Sequence, residues 1–223
     1  MSQIKIGRMV LSVCQTNCYY LYREGTQDAI VVDPADNGAK IYDTLRRNGF
    51  RVAAVLLTHG HFDHIWGLDA LRDAANAAAE SDGLEPVKVY ACEAERALLK
   101  SPELNISGRA GRAVSVSADV YVKDGQELQL AGMTCKVIAT PGHTEGGCCY
   151  YFEEAGFLVS GDTLFEESVG RTDFPTGSMS TLVNSIREKL FVLPGETKVY
   201  PGHGDSTTIA HEKEYNPYVC SRD

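Results

Sequence analysis

The chain reads as a layered α/β protein, and three observations predict it. Short apolar runs of strand length recur along it, helical apolar stripes lie between the runs, and histidines and aspartates gather on the loops that leave the runs. In chain order, runs at 18–22 and 30–32 come first. Ile41 and Leu45 then sit one helical turn apart, with Gly49 placed to end that helix. The run V-A-A-V-L-L at 52–57 has the length and composition of a strand buried on both faces. A helix after His64 carries Leu68 and Leu71, becomes Ala-rich, and runs into a surface loop at Glu80-Ser81-Asp82-Gly83. Residues 87–91 form another strand-like run. The second half repeats the alternation with runs at 133–138, 148–152, 157–160 and 198–200, and with an apolar helical stripe of Leu182, Val183, Ile186 and Leu190 after a cap at Ser178 or Ser180. No short repeat or low-complexity tract is visible, and a single domain over residues 1–223 is expected.

Composition narrows the setting. A chain of 223 residues that is 43% hydrophobic can bury a substantial core. Its 21 Lys and Arg stand against 30 Asp and Glu, and the formal charge of −9 would repel nucleic-acid phosphates, so no nucleic-acid partner is expected. No leader-like N-terminal segment and no apolar run near 18 residues occurs, which predicts a cytoplasmic protein without a membrane partner. Seven cysteines, at 14, 18, 92, 135, 148, 149 and 220, include no C-x-x-C pair. They are expected to be reduced and mostly buried, with Cys148 and Cys149 inside a strand.

Chemistry concentrates in T-H-G-H-F-D-H at 58–64, where three histidines and an aspartate directly follow the 52–57 run. Loops at strand ends are where such folds place reactive groups. His59 and His61 can point the same way from an extended loop, while Asp63 and His64 turn toward a second centre about 3.5–4 Å away, the spacing of two-metal sites. His143 in T-P-G-H-T and His203 in Y-P-G-H-G lie on further strand-end loops, with Pro and Gly setting the turns. Asp162 ends the 157–160 run in V-S-G-D-T-L-F. His211, in the charged string H-E-K-E, is expected to face solvent.

These motifs, in this order and with G-R-T-D-F-P at 170–175, closely resemble the metallo-β-lactamase-fold hydrolases, in particular the glyoxalase II-like (hydroxyacylglutathione hydrolase-like) branch. The resemblance runs from Asn17 to Asn216 and implies an αββα sandwich of two mixed β-sheets with helices on the outer faces, the site lying along one edge. By position it implies that His59, His61 and His143 hold one metal, Asp63, His64 and His203 a second, and Asp162 bridges them. Asp33 would orient a ligand histidine from behind, a role worth roughly 10–100-fold. Imidazole suits zinc, and the carboxylates also tolerate iron or manganese, so the expected cofactors are two divalent ions, zinc first. An aspartate at 162, where β-lactamases of this fold commonly present cysteine, points away from lactamase activity. The implied reaction is hydrolysis of a thioester by a metal-bridging hydroxide, since two cations can bring the pKa of water from 15.7 to about 7. Asp63 and Asp162 would be the catalytic carboxylates.

Arg171 falls where glyoxalase II presents a basic residue to glutathione, with Phe174 beside it, and both are candidate substrate contacts. A guanidinium can grip a carboxylate through two parallel hydrogen bonds. Arg171 can equally pair with Asp173. The 20 residues after His203 leave no room for the helical domain that glyoxalase II adds, so the resemblance implies a branch lacking it. Persulfide dioxygenases, which use a single iron, share the G-R-T-D-F string, and lactone or ester hydrolysis is a further alternative. The expected partner is a small-molecule thioester, and the protein a monomer or homodimer.

Overall fold

A computed structural model describes residues 2–220. Three antiparallel strands open the chain, β1 (Ile4–Leu11), β2 (Thr16–Arg23) and β3 (Asp28–Val32). Helix and strand then alternate through α1 (Gly38–Arg47), β4 (Arg51–Leu56), α2 (Phe62–Ile65), α3 (Leu68–Ser81), β5 (Lys88–Cys92), α4 (Arg96–Lys100) and β6 (Val120–Val122). Strands β3 to β6 pair in parallel, so the first sheet is mixed, in the order β1-β2-β3-β4-β5-β6.

The second half supplies β7 (Glu127–Leu130), β8 (Met133–Ala139), β9 (Cys148–Phe152), β10 (Phe157–Gly161) and a small ribbon, β11 (Leu164–Phe165) with β12 (Ser168–Val169). Helix α5 (Met179–Ser185) continues as a π turn over Ile186–Leu190, and β13 (Lys198–Pro201), β14 (Thr207–Thr208) and α6 (Ile209–Tyr215) follow. The second sheet runs β14-β13-β10-β9-β8-β7, antiparallel except for the parallel β10–β13 pair.

Side-chain alternation explains the layering, because successive residues of a strand face opposite sides of its sheet. Tyr19, Leu21, Ile30, Val32, Ala54 and Leu56 point inward from the first sheet and meet Cys135, Val137, Tyr150, Phe152, Phe157 and Val159 from the second. Their alternates face out: Cys18, Val31, Val55 and Leu57 pack on Ile41, Leu45, Leu68 and Leu71 of α1 and α3. On the far side Cys149, Tyr151, Leu158 and Val199 pack on Leu182, Ile186, Leu190 and Ile209. Burial on both faces is why the strands read as continuous apolar runs. Each fully buried Leu or Phe contributes roughly 1.5–3 kcal/mol. The result is the αββα sandwich expected from the sequence. All seven cysteines are free thiols, five of them buried, and Ser178 is the cap of α5, its hydroxyl accepting from the Thr181 N–H.

Several elements go beyond the sequence-based expectation. β1 mixes Lys5, Gly7 and Arg8 into an edge strand whose residues are only partly buried, so its apolar alternation is weak. β6, β7, β14 and the β11–β12 ribbon are too short to give a period. The string H-E-K-E lies in α6, and His211 is only half-exposed, its Nε2 3.1 Å from Glu167 Oε1. No described helix is long and apolar enough to cross a membrane.

Candidate metal centre

Five strand ends converge along one edge of the sandwich, two from the first sheet and three from the second. Asp33 follows β3, the 57–64 segment follows β4, His143 lies between β8 and β9, Asp162 follows β10, and His203 follows β13. The structure therefore brings together all eight residues singled out as ligands or ligand support. Close approach at the seam depends on Gly202: a Cβ there would strike Asp162 Oδ1 and meet His64 Cε1 at 2.7 Å.

Two clusters are resolved. His59 Nε2 lies 3.2 Å and His61 Nδ1 2.8 Å from His143 Nε2. His203 Nε2 lies 3.3 Å from Asp63 Oδ2, and His64 Nε2 3.8 Å from the same oxygen. Asp162 stands between the clusters, its Oδ2 3.5 Å from both His143 Nε2 and His203 Nε2 and its Oδ1 3.4 Å from His64 Nε2. Both three-residue clusters have donor atoms within 4.8 Å of one another, as a single ion requires.

The hydrogen bonds behind the imidazoles decide which ring nitrogens carry lone pairs. His143 Nδ1 is 2.6 Å from the Arg171 carbonyl and His203 Nδ1 3.1 Å from the Cys14 carbonyl. A carbonyl only accepts, so both Nδ1 atoms carry a proton, and the nitrogen that each ring turns toward the cluster as a possible ligand is Nε2. His64 Nδ1 donates likewise to Asp33 Oδ2 at 2.9 Å. The Thr58 hydroxyl spends its one hydrogen on Asp33 Oδ2, 2.6 Å away, and so accepts from His59 Nδ1 at 3.2 Å. Asp33 thus stands behind two imidazoles, one directly and one through Thr58. Its other oxygen takes the Thr58 backbone N–H at 2.8 Å.

Electrostatics divides the clusters. Burial, followed by neighbouring imidazoles, pushes His59 well below the ordinary histidine value and His61 down to about 3, and burial lowers His143 as well. That cluster consists of neutral donors. Around the second position burial alone would depress His64 and His203, but the carboxylates of Asp162 and Asp63 raise His64 well above the ordinary value and His203 to about 9. Burial would raise Asp63 and Asp162, yet the facing imidazoles hold both below the usual carboxylate range. Lone pairs and buried carboxylates aimed at one another are costly without positive charge among them. His61 Nε2, His64 Nε2 and Asp162 Oδ1 are buried with no protein hydrogen-bond partner, so the donor set fits divalent cations.

A cavity of about 390 Å³ opens onto the clusters. Phe62, Ile106, Phe165, Val169 and Phe174 give it an apolar wall, and Cys14, Arg171 and the site residues complete it. Arg171 lies over the Phe174 ring, 3.9 Å from its centroid, with Nε and Nη2 each 2.7 Å from an Asp173 oxygen. Both candidate substrate contacts therefore line the cavity, and the guanidinium fork is taken up by Asp173. Thr16, whose hydroxyl donates to Asp63 Oδ2 at 3.0 Å, Thr58, Ile106 and Glu95 escape motif reading. Of these only Thr58 leaves a signal, since it opens the histidine-rich string. Burial pushes the Glu95 carboxyl up to about 7 against the pull of the Gly60 N–H, the Thr144 hydroxyl and the Gly146 N–H.

A family model described as the metallo-beta-lactamase superfamily matches residues 11–203. The chain belongs to that superfamily. It is 40% identical, over 96% of its length and 90% of the relative's, to a probable metallo-hydrolase of Streptococcus pyogenes serotype M6. A hydroxyacylglutathione hydrolase of Haemophilus influenzae is 31% identical over 93% of this chain and 94% of its own. Among solved structures, the B3 metallo-beta-lactamase BLEG-1 aligns with a TM-score of 0.84 at 35% identity, covering 96% of this chain and 99% of that one. A protein solved in a di-iron-bound form, TTHA1623, gives 0.79 at 31% identity, with 95% and 99% covered. ETHE1 from Myxococcus xanthus gives 0.76 at 28% identity, with 98% and 86% covered.

Proposed function

We propose that the protein is a two-metal thioester hydrolase of hydroxyacylglutathione hydrolase-like type, with His59, His61 and His143 holding one divalent ion, Asp63, His64 and His203 the other, and Asp162 shared between them. The observation that carries this reading is the convergence of imidazole nitrogens oriented from behind, Nε2 of His59, His64, His143 and His203, on two adjacent points facing an apolar cavity. The hydroxyacylglutathione hydrolase of Haemophilus influenzae and the di-iron-bound TTHA1623 support it by likeness. Two divalent cations, zinc or iron, would supply a water of lowered pKa and polarise the carbonyl to be attacked.

The chain's own residues do the rest. Phe62, Ile106, Phe165, Val169 and Phe174 exclude water and seat the acyl group. Asp63 and Asp162, held ionised, are the acceptors for the proton that the attacking water gives up. Asp33 and Thr58 keep the proton of His64 and of His59 on Nδ1. Arg171, on the cavity lining, can exchange Asp173 for a substrate carboxylate.

The likeness to ETHE1 favours a second reading, an iron-dependent persulfide dioxygenase occupying only the first position. One experiment separates the two. Protein purified without added metal is analysed for metal content and assayed with a hydroxyacylglutathione, a β-lactam and a glutathione persulfide. About two ions per chain with thioester turnover, lost on chelation, is the expected outcome. One iron with oxygen uptake on the persulfide refutes it in favour of the second reading, and β-lactam turnover alone refutes both.

A further inference from the structure

Glu95 holds no ligand position, yet it is only 1% exposed, and a buried carboxylate needs partners. It closes the short 3-10 turn Glu93–Glu95 between β5 and α4. Its Oε1 accepts the Gly60 N–H at 2.8 Å, and its Oε2 accepts the Thr144 hydroxyl at 3.1 Å. Gly60 sits between His59 and His61, and Thr144 directly follows His143. One side chain thus ties together the two loops that carry the whole first cluster, one loop from each sheet. Neither of these partners adjoins Asp63, His64 or His203.

The packing leaves these loops little freedom. A Cβ on Gly146 would strike the Glu95 backbone nitrogen and meet its carboxylate at 2.5 Å, and a Cβ on Gly60 would meet Leu98 and Leu99 of α4 at 2.8 Å. Both loops are therefore seated directly against the turn that presents Glu95. A carboxylate suits the post because it only accepts, and its two oxygens can serve one donor from each loop.

We infer that Glu95 is a positioning residue that sets the His59–His61 pair against His143 and so governs occupancy of the first cation position while leaving the second largely unaffected. This rests on the two-metal reading above. Glu95→Gln keeps the shape but turns an amide N–H₂ toward one set of donors, and Glu95→Asp keeps the charge but is one methylene short. Each should weaken binding at the first position by roughly 10–100-fold, the range for groups that orient a ligand from behind. Binding at the second position should change by less than about 3-fold.

The test measures stepwise zinc affinities by competition with a chromophoric chelator, on the full chain stripped of metal. His143→Ala and His203→Ala assign the two constants, and thermal melts of each metal-free variant accompany them. A selective loss at the first position supports the assignment. Equal loss at both positions, or a lower melting temperature with both affinities unchanged, overturns it and leaves Glu95 a packing residue. If the Glu95 variants do not fold, Thr144→Val removes one of the two donors and should give the same selectivity with a smaller effect; its absence overturns the assignment too. A parent protein that takes up no ion refutes the two-metal reading and this assignment together, whereas two ions in the parent with an unselective loss refutes the role of Glu95 alone.

Discussion

Thr58→Val removes one hydroxyl and tests how the ring protons are placed. The side chain is buried, and valine keeps its shape, so little packing is lost. Asp33 keeps the Thr58 backbone N–H at 2.8 Å and His64 Nδ1 at 2.9 Å, so the second cluster retains its support. The damage falls on His59, whose Nδ1–H loses the hydroxyl that held it, 3.2 Å away. Leaving a buried donor unpaired costs about 1–3 kcal/mol, and the ring escapes the cost by moving its proton to Nε2, which abolishes the lone pair. Either route should weaken metal binding at the first position by roughly 10–100-fold. Chelator competition reads the affinity, and ¹⁵N shifts of the imidazoles in the metal-free protein read the tautomer. Unchanged affinity with His59 still protonated on Nδ1 would refute the claim that Thr58 directs it.

Asp162→Ala should lower metal content and activity together, by more than the roughly 10–100-fold typical of residues that only orient a ligand, because two adjacent cations lose their shared anion. His211→Ala, paired with Glu167 away from the clusters, should change neither, and similar behaviour of the two variants in metal analysis would show the ligand assignment to be wrong. Arg171→Ala should keep its metal, since the backbone carbonyl of residue 171, not the guanidinium, holds His143. It should raise KM for an anionic thioester by about 10-fold, the low end for a charged contact because Asp173 already competes for the fork, and leave a neutral thioester unaffected. Equal impairment of both substrates would assign Arg171 to holding the Asp173 loop. Stripping the metal should lower the melting temperature, since an ion present at 100 times its Kd stabilises by about 2.7 kcal/mol; an unchanged melt would count against tight binding.

What was legible in the sequence follows from what is local. The strands of both sheets bury two faces and so read as unbroken apolar runs, and the histidines stand next to the strands that position them. The clusters are built from short strings, each visible alone. Glu95 is different: in C-E-A-E-R-A-L-L-K it looks like one more surface charge beside Glu93, and what distinguishes it are partners 35 and 49 residues away along the chain. Ile106 likewise sits in an irregular stretch without a period, and its place on the cavity wall comes from the loop's path, with a left-handed φ of 67°. That conformation is strained for a β-branched side chain. The ion pair of Arg171 with Asp173 is legible from their spacing, but whether a substrate displaces Asp173 is not.

The two positions are unequal by construction, and this bears on which metals they suit. The first is lined by three imidazoles that burial keeps neutral, so it offers nitrogen donors and no charge of its own beyond Asp162. Asp63 adds a second carboxylate to the other position, and Asp33 lies directly behind His64. Nitrogen-rich surroundings favour zinc or iron, whereas added carboxylate also tolerates harder ions such as manganese. Because the first position draws His59 and His61 from one sheet and His143 from the other, its geometry follows the spacing between the sheets, which the core of Tyr150, Phe152 and Leu56 holds. The second draws Asp63 and His64 from one short helix and needs only His203 from across the seam. Each position thus needs one histidine from across the seam, and at the nitrogen-rich one Glu95 and Thr58 supply the additional restraint.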